Sequence, residues 1–189
     1  MDQYFTLVLG FILTTVAGGF LGYWLQNRSW KHQHDAQLLQ SERSTATSLF
    51  ENISHLMDKR LYRMRLLAWS LNAETEIEDT IEQNMQNYRQ LLYDWNDTLI
   101  RNLAITQAYF GSQVRDQIES VIYEDFSRIG RLLEKRYQAY KMTEPVSEVE
   151  SIELELRELS DQIYRVNFQM IRLIQKGQVG IFNHDIARD

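Results

Sequence analysis

The sequence contains no cysteine and only one proline among its 189 residues. Without cysteine it can form no disulfide, no thiolate metal site and no cysteine nucleophile. Glycine is also scarce beyond the first 25 residues, because four of the eight glycines lie within them. The rest of the chain therefore has few of the turn residues that separate strands in a sheet protein. These shortages favour an all-α fold.

Charge of either sign is missing from the start of the chain. No charged side chain occurs between Gln3 and Asn27, and the segment from Tyr4 to Leu25 is mostly apolar. At roughly 1.5 Å per residue, such a helix is about 33 Å long, close to the thickness of a bilayer core. The run is too long and its end too bulky for a cleaved signal peptide. The sequence therefore predicts a single N-terminal transmembrane helix within residues 1–27, in contact with the lipid bilayer.

Basic residues flank this segment on one side only. Arg28 and Lys31 follow it in a juxtamembrane segment, residues 28–34, and no lysine or arginine precedes it. With one such helix, a single-pass protein of the cell membrane is expected, and the positive-inside rule predicts its orientation. Its N-terminus is expected outside, and its larger C-terminal part in the cytoplasm.

Small residues recur every four positions in the apolar segment. They are Gly10, Thr14, Gly18 and Gly22. Residues at this spacing share a helix face, and small side chains there allow another helix to approach closely. We interpret this face as a packing surface for another membrane protein or for a second copy of the chain.

Beyond the membrane segment the hydrophobic period is helical, and no strand pattern competes with it. Four helices are expected, over residues 35–72, 74–110, 112–141 and 147–176. The last has apolar residues spaced alternately by four and three, the pattern of a coiled-coil or bundle seam: Ile152, Leu156, Leu159, Ile163, Val166, Met170 and Leu173. The joins between helices are short, so neighbours should pack antiparallel. The prediction is an antiparallel up-down bundle over 35–177, followed by a tail over 178–189.

Charge supports the same hairpins, because basic helix ends are followed by acidic helix starts. The basic run at 58–65 is thus expected to pair with the acidic start of the next helix. The net charge of −6 also argues against a nucleic-acid partner.

Sequence motifs for chemistry are lacking. No nucleophile elbow, phosphate-binding loop, dinucleotide fingerprint or zinc-protease motif occurs. Glu51, His55 and Asp58 have helical spacing, but His55 lies off the apolar stripe and is interpreted as a surface residue. No cofactor, metal or catalytic residue is therefore predicted. Among the aromatics, Trp69, Tyr93 and Tyr123 lie off or at the margin of the stripes and are candidates for a binding surface.

Two functions remain open. The first is a non-enzymatic, membrane-anchored scaffold, adaptor or assembly subunit that acts through protein–protein interaction. The alternative is a membrane-anchored sensor or signalling module whose bundle binds a small ligand. A bundle metalloenzyme would require carboxylates clustered in the interior.

Overall fold

The computed structural model describes the backbone of residues 2–72, 78–142 and 149–181. Within these ranges it describes all side chains except those at 2–9, 12–13, 17, 25, 27–29, 31–32, 35 and 149–151. The described chain is helical and contains no strand. Its helices are α1 (Asp2–Asn72), α2 (Glu78–Phe110), α3 (Ser112–Asp116), α4 (Tyr123–Lys141) and α5 (Val149–Lys176). A π-helical turn, Gln117–Ile122, joins α3 to α4. The predicted all-α class is confirmed.

The chain divides into two compact units, residues 1–41 and 42–189. Helix α1 supplies the first unit and continues into the second. Many side chains described in the first unit are exposed, including Phe11, Phe20 and Trp24. Among the residues that the structure describes, no helix holds a stretch of the length and apolarity needed to cross a bilayer. The predicted transmembrane helix is therefore not confirmed.

The second unit is a bundle in which successive passes of the chain reverse direction, and α3, the π turn and α4 together make one pass. Arg43, near its start, donates hydrogen bonds to the carbonyl oxygens of Ile174 and Gln175 at the end of α5, both at 3.1 Å. At the opposite end, Arg136 of α4 donates to the carbonyl oxygen of Leu71 at 3.3 Å. We call these the Arg43 end and the Leu71 end. The chain runs between them four times and finishes α5 at the Arg43 end.

One continuous apolar core lies between these helices. All four passes contribute to it, for example through Met57, Met85, Ile129 and Leu159. On α5, six of the seven predicted seam residues are buried, and Leu173 is half-buried. The four-three spacing places them on one face because it keeps step with the 3.6-residue turn.

A single residue, Gly111, reverses the chain between α2 and α3. Its φ of 85° and ψ of 170° lie in a region that is essentially restricted to glycine. Its amide donates to the carbonyl oxygen of Gln107 at 3.0 Å, and its own carbonyl accepts from the amide of Arg115 at 3.4 Å. The sequence signal for a helix break at this position is thus confirmed.

The π turn holds the third pass against the core. Val114, Ile118, Ile122 and Phe126 are all buried, each four residues after the last. In an α-helix, three successive steps of four would drift about 120° around the axis. The wider π turn takes up this drift, so all four side chains face the core. The α-helical period predicts that Val121 belongs to the buried stripe of this pass and leaves out Phe126, but Val121 is exposed.

The ion pairs agree with the charge pattern in one hairpin and correct it in the other. Arg128 of α4 pairs with Glu155 of α5 at 2.6 Å, as the second hairpin predicts. In the first hairpin, Glu78 and Glu82 pair with Lys141 of α4, and within the described residues neither of them pairs with the basic run of α1. Glu74 and Glu76, which begin the acidic stretch, lie outside the described residues. One member of that run, Arg60, is buried in the core.

Candidate binding surface

The outward face of α5 combines exposed aromatic and basic side chains. Tyr164 and Phe168, one turn apart, stack with ring centroids 6.2 Å apart and planes inclined by 13°. They are 69% and 49% exposed, respectively. The Arg172 guanidinium lies 5.9 Å from the Phe168 ring centroid, which suits a cation–π contact.

A shallow groove follows this face toward the end of the helix. It is lined by Tyr164, Arg165, Phe168, Gln169, Arg172, Leu173 and Lys176. Its charged groups are three cations with no carboxylate among them. Aromatic side chains with arginine are the residue types enriched in protein interfaces. We call this set the α5 groove.

The α5 groove and the seam lie on opposite sides of the same helix. At 100° per residue, Phe168 is about 180° around the axis from Leu159. Leu159 is fully buried against the other helices, so Phe168 must point outward. The tight packing of the seam thereby fixes the direction of the groove.

The end of α5 is also fixed. Gly177, with φ of 67°, follows the helix, and its amide donates to the carbonyl oxygen of Ile174 at 3.1 Å. The amide of Gln178 donates to the carbonyl oxygen of Leu173 at 2.9 Å, which completes a Schellman motif. With the two hydrogen bonds from Arg43, the carbonyls of Leu173, Ile174 and Gln175 have partners, which holds the last turn of the groove in place.

A second feature lies inside the bundle, where Arg60 is only 3% exposed. Its guanidinium carbon is 4.5 Å from the Phe126 ring centroid and 5.2 Å from that of Trp95. Burial lowers the pKa of Arg60, against a smaller opposite effect of the Tyr88 hydroxyl. Its Nε and Nη1 atoms have no hydrogen-bond partner within the described chain. This is a buried charge held between aromatic faces.

Close to this centre, Trp95 lines a small cavity. The cavity holds about 10 Å³, enough for one water molecule, and Asn102 and Thr106 supply polar atoms to its wall. The indole Nε1 of Trp95 lacks a hydrogen-bond partner within the described chain. The cavity has no room for a ligand larger than water.

The residues predicted to pack in the membrane lie in the first unit. Gly10, Thr14, Gly18 and Gly22 are exposed, and a Cβ at any of the three glycines would meet nothing within 4 Å. The Thr14 hydroxyl donates to the Gly10 carbonyl oxygen. The side chains of Arg28 and Lys31 lie outside the described residues.

The candidate metal residues and aromatics of the sequence are dispersed over the surface. Glu51, His55 and Asp58 are exposed, as predicted for His55. Within the described chain, no three potential metal-binding side chains cluster. Of the aromatics, Trp69 and Tyr93 are exposed and Tyr123 is half-buried.

Sequence reasoning missed the groove and the buried arginine, although signals for both were present. Tyr164 and Phe168 are four residues apart on the side of α5 opposite a clean seam. Arg60 lies three residues after Met57 and four before Met64, which places it on the apolar stripe. A basic residue at such a position indicates a charge buried in the core.

A scan against protein-family models, a search of curated proteins and a search of solved structures each found no match for this chain.

Proposed function

We propose that this protein is a non-enzymatic, membrane-anchored scaffold, adaptor or assembly subunit that binds another protein through its helical bundle. The observation that carries the proposal is the α5 groove, where Tyr164, Phe168 and Arg172 are presented outward on a helix fixed by its core. A preformed, rigid face with exposed aromatic and arginine side chains suits recognition, because little conformational entropy is lost on binding.

The anchor is part of the same proposal. The uncharged segment from Gln3 to Asn27 supports it, as do exposed apolar side chains that lipid would cover. Phe11 is 72% exposed and Val16 66% exposed within this segment. Bulky apolar side chains have no favourable place in water, whereas a bilayer core accommodates them. Arg28 and Lys31 then orient the bundle toward the cytoplasm.

Membrane attachment is tested by fractionation of cells that express the full chain or residues 42–189. The full chain should remain in the membrane pellet after extraction with alkaline carbonate, and the shorter chain should not. A reporter fused after Asp189 should be active only in the cytoplasm. Recovery of the full chain in the soluble fraction would refute the anchor, and protease digestion of the bundle from outside intact cells would refute the orientation.

Binding through the groove is tested by photo-crosslinking in cells. A photoreactive phenylalanine replaces Phe168 in one variant and Asp97, exposed on α2, in the control. The expected result is a discrete adduct from position 168 that is absent from position 97. The adduct should decrease at least tenfold when Arg172→Glu is added. Equal labelling from both positions would mean that the groove is ordinary surface.

A sensor is the second candidate, and Arg60 is the observation that favours it. Two of its N–H-bearing nitrogens lack partners within the described chain, and an anionic ligand would provide acceptors. Because the cavity beside Trp95 has no room for a ligand larger than water, such a ligand would have to part the helices on binding. A thermal-shift series with phosphate, citrate and nucleotides tests this, because a ligand that binds the folded state raises its melting temperature. A shift that persists in Arg60→Met would exclude this site.

A further inference from the structure

The two halves of the outward face of α5 carry opposite charge. Glu153, Glu158 and Asp161 lie on the first half with one arginine, Arg157, and all four are exposed. The second half holds the three cations of the α5 groove and no carboxylate. Glu155 is not part of this face, because it turns toward Arg128 of α4. The face is therefore acidic at its start and basic at its end.

Such a pattern is complementary to itself only when the two helices run in opposite directions. In a parallel pair, the acidic half would face its own copy, and like charges in contact are destabilising. In an antiparallel pair, each acidic half faces a basic half, and the contact is isologous, as a two-fold symmetric dimer requires.

In one register of the antiparallel pair, oppositely charged side chains face each other and the exposed aromatic side chains lie in the contact. When Asp161 lies opposite Arg165 of the second copy, Leu154 lies opposite Arg172 and Glu153 lies within one turn of it. Tyr164 then lies beside its own copy, close to the two-fold axis. The exposed Leu154 and Phe168 would both be covered.

We propose that the α5 groove binds the same face of a second copy of this chain, with the two α5 helices antiparallel and Asp161 opposite Arg165. The inference rests on the proposed function, since it names the partner of the groove. An antiparallel pair directs the Arg43 ends of its two bundles in opposite directions, so the two copies belong to facing membranes and not to one membrane. A contact made by one helix pair is at the small end of specific interfaces. The dimer is therefore concentration-dependent, and high salt weakens it because its charges lie at the rim.

The direction of the helices can be read by cross-linking, because the chain has no cysteine of its own. Three single-cysteine variants of the full chain in detergent micelles are treated with a short bis-maleimide: Tyr164→Cys, Leu154→Cys and Arg172→Cys. In the antiparallel dimer only Tyr164→Cys bridges two identical chains efficiently. Leu154→Cys and Arg172→Cys form a bridge only when the two variants are mixed. Asp97→Cys on α2 serves as the control.

Other outcomes overturn the proposal. Self-bridging by all three variants would indicate a parallel pair, and bridging no greater than that of Asp97→Cys would mean that a second copy does not occupy the groove. In the second case, an adduct from position 168 to a different protein would still support the proposed function. Absence of that adduct as well would refute both.

Charge exchange provides a second, independent readout. Asp161→Arg should reduce the cross-linking of Tyr164→Cys at least fivefold, because it places Arg opposite Arg165. Adding Arg165→Asp in the same chain should restore it, since the pair is re-formed with its signs reversed. Failure of the double variant to recover, with an unchanged melting temperature, would exclude this register.

Discussion

Arg60 is buried, although charged residues next to it in the sequence, such as Asp58 and Lys59, are exposed. Its sequence surroundings are basic and suggest a solvated surface, whereas its helical position is three and four residues from buried methionines. The position prevails, because the backbone of α1 directs the side chain inward between Trp95 and Phe126. Ring faces carry partial negative charge and offset part of the desolvation cost, but they accept no hydrogen bond as strong as a carboxylate would.

Replacement of Arg60 by methionine should therefore leave the bundle as stable or more stable. Arg60→Met keeps an unbranched apolar stem and removes the desolvated charge, and the gain is expected to be up to about 4 kcal/mol in the free energy of unfolding. Arg60→Ala should instead lose about 2–5 kcal/mol, because it leaves a cavity. Urea unfolding of residues 42–189 measures both. A loss of more than about 1 kcal/mol in Arg60→Met would show that the guanidinium–ring contacts outweigh the cost of burial.

Glycine is required at position 130 of α4 because Tyr88 lies close to it, and not because of its backbone conformation. A Cβ built at this position would overlap the hydroxyl of Tyr88. Gly130→Ala should therefore destabilise the bundle by about 1–3 kcal/mol, despite the higher helix propensity of alanine. Tyr88→Phe removes the overlapping oxygen, so the double variant should be more stable than Gly130→Ala alone. The melting temperatures of Gly130→Ala, Tyr88→Phe and the double variant test this, and an additive result would contradict the contact.

At the scale of the element, the sequence predicted regular helices well and the irregular one poorly. The seam of α5 could be read from the sequence because its alternate steps of four and three match an α-helix. The stripe of the third pass could be read only in part. The spacing predicts Val114, Ile118 and Ile122 correctly, but the three steps of four from Val114 to Phe126 fit only a helix with a π turn. The α-helical period therefore includes Val121, which is exposed, and leaves out Phe126, which is buried. The groove was missed for a related reason. The period of the apolar residues indicates which face of a helix is buried, whereas Tyr164 and Phe168 lie on the exposed face.

Two leucines on α5 provide a matched comparison between its inner and outer faces. Leu159 is fully buried and Leu154 is 56% exposed, five residues earlier. Leu159→Ala should lower the free energy of unfolding by about 2–5 kcal/mol, whereas Leu154→Ala should change it by no more than about 0.5 kcal/mol. Circular dichroism of residues 42–189 during thermal unfolding distinguishes them. Equal effects on the free energy of unfolding would mean that Leu159 does not face the core or that Leu154 does not face solvent.

At the scale of the whole molecule, a polar cluster at the Leu71 end joins α2 to α4. The Tyr137 hydroxyl donates to a Glu82 carboxylate oxygen, and Lys141 pairs with the same residue at 3.3 Å. The hydrogen bonds from Tyr137 and Lys141 lower the pKa of Glu82 below its ordinary value of 4.5. Burial, with Glu82 as a second cause, raises the pKa of Tyr137 above 10.0.

These shifts predict a loss of stability at both ends of the pH range. Glu82 stabilises the fold above pH 4.5, and its contribution is lost as pH falls through its lower folded value. Tyr137 contributes below pH 10.0, and its contribution is lost as pH rises toward its higher folded value.

Unfolding by urea across pH, compared with Glu82→Gln and Tyr137→Phe, separates the two contributions. The difference between wild type and Glu82→Gln should shrink below pH 4.5, and that between wild type and Tyr137→Phe should shrink above pH 10.0. Differences that are constant with pH would show that the cluster does not couple protonation to folding.

The hydrogen bonds from Arg43 to Ile174 and Gln175 have a consequence for folding during translation. Their partners are separated by 131 and 132 residues. At about 5–20 residues per second, the Arg43 side chain waits about 7–26 s after its own synthesis before Ile174 is translated. In the last part of that interval, after Lys141 has been translated, the first three passes exist without α5, and the core surface that Leu159 and Met170 will cover is exposed. We therefore expect a nascent chain of this protein to bind chaperones until its last helix leaves the ribosome.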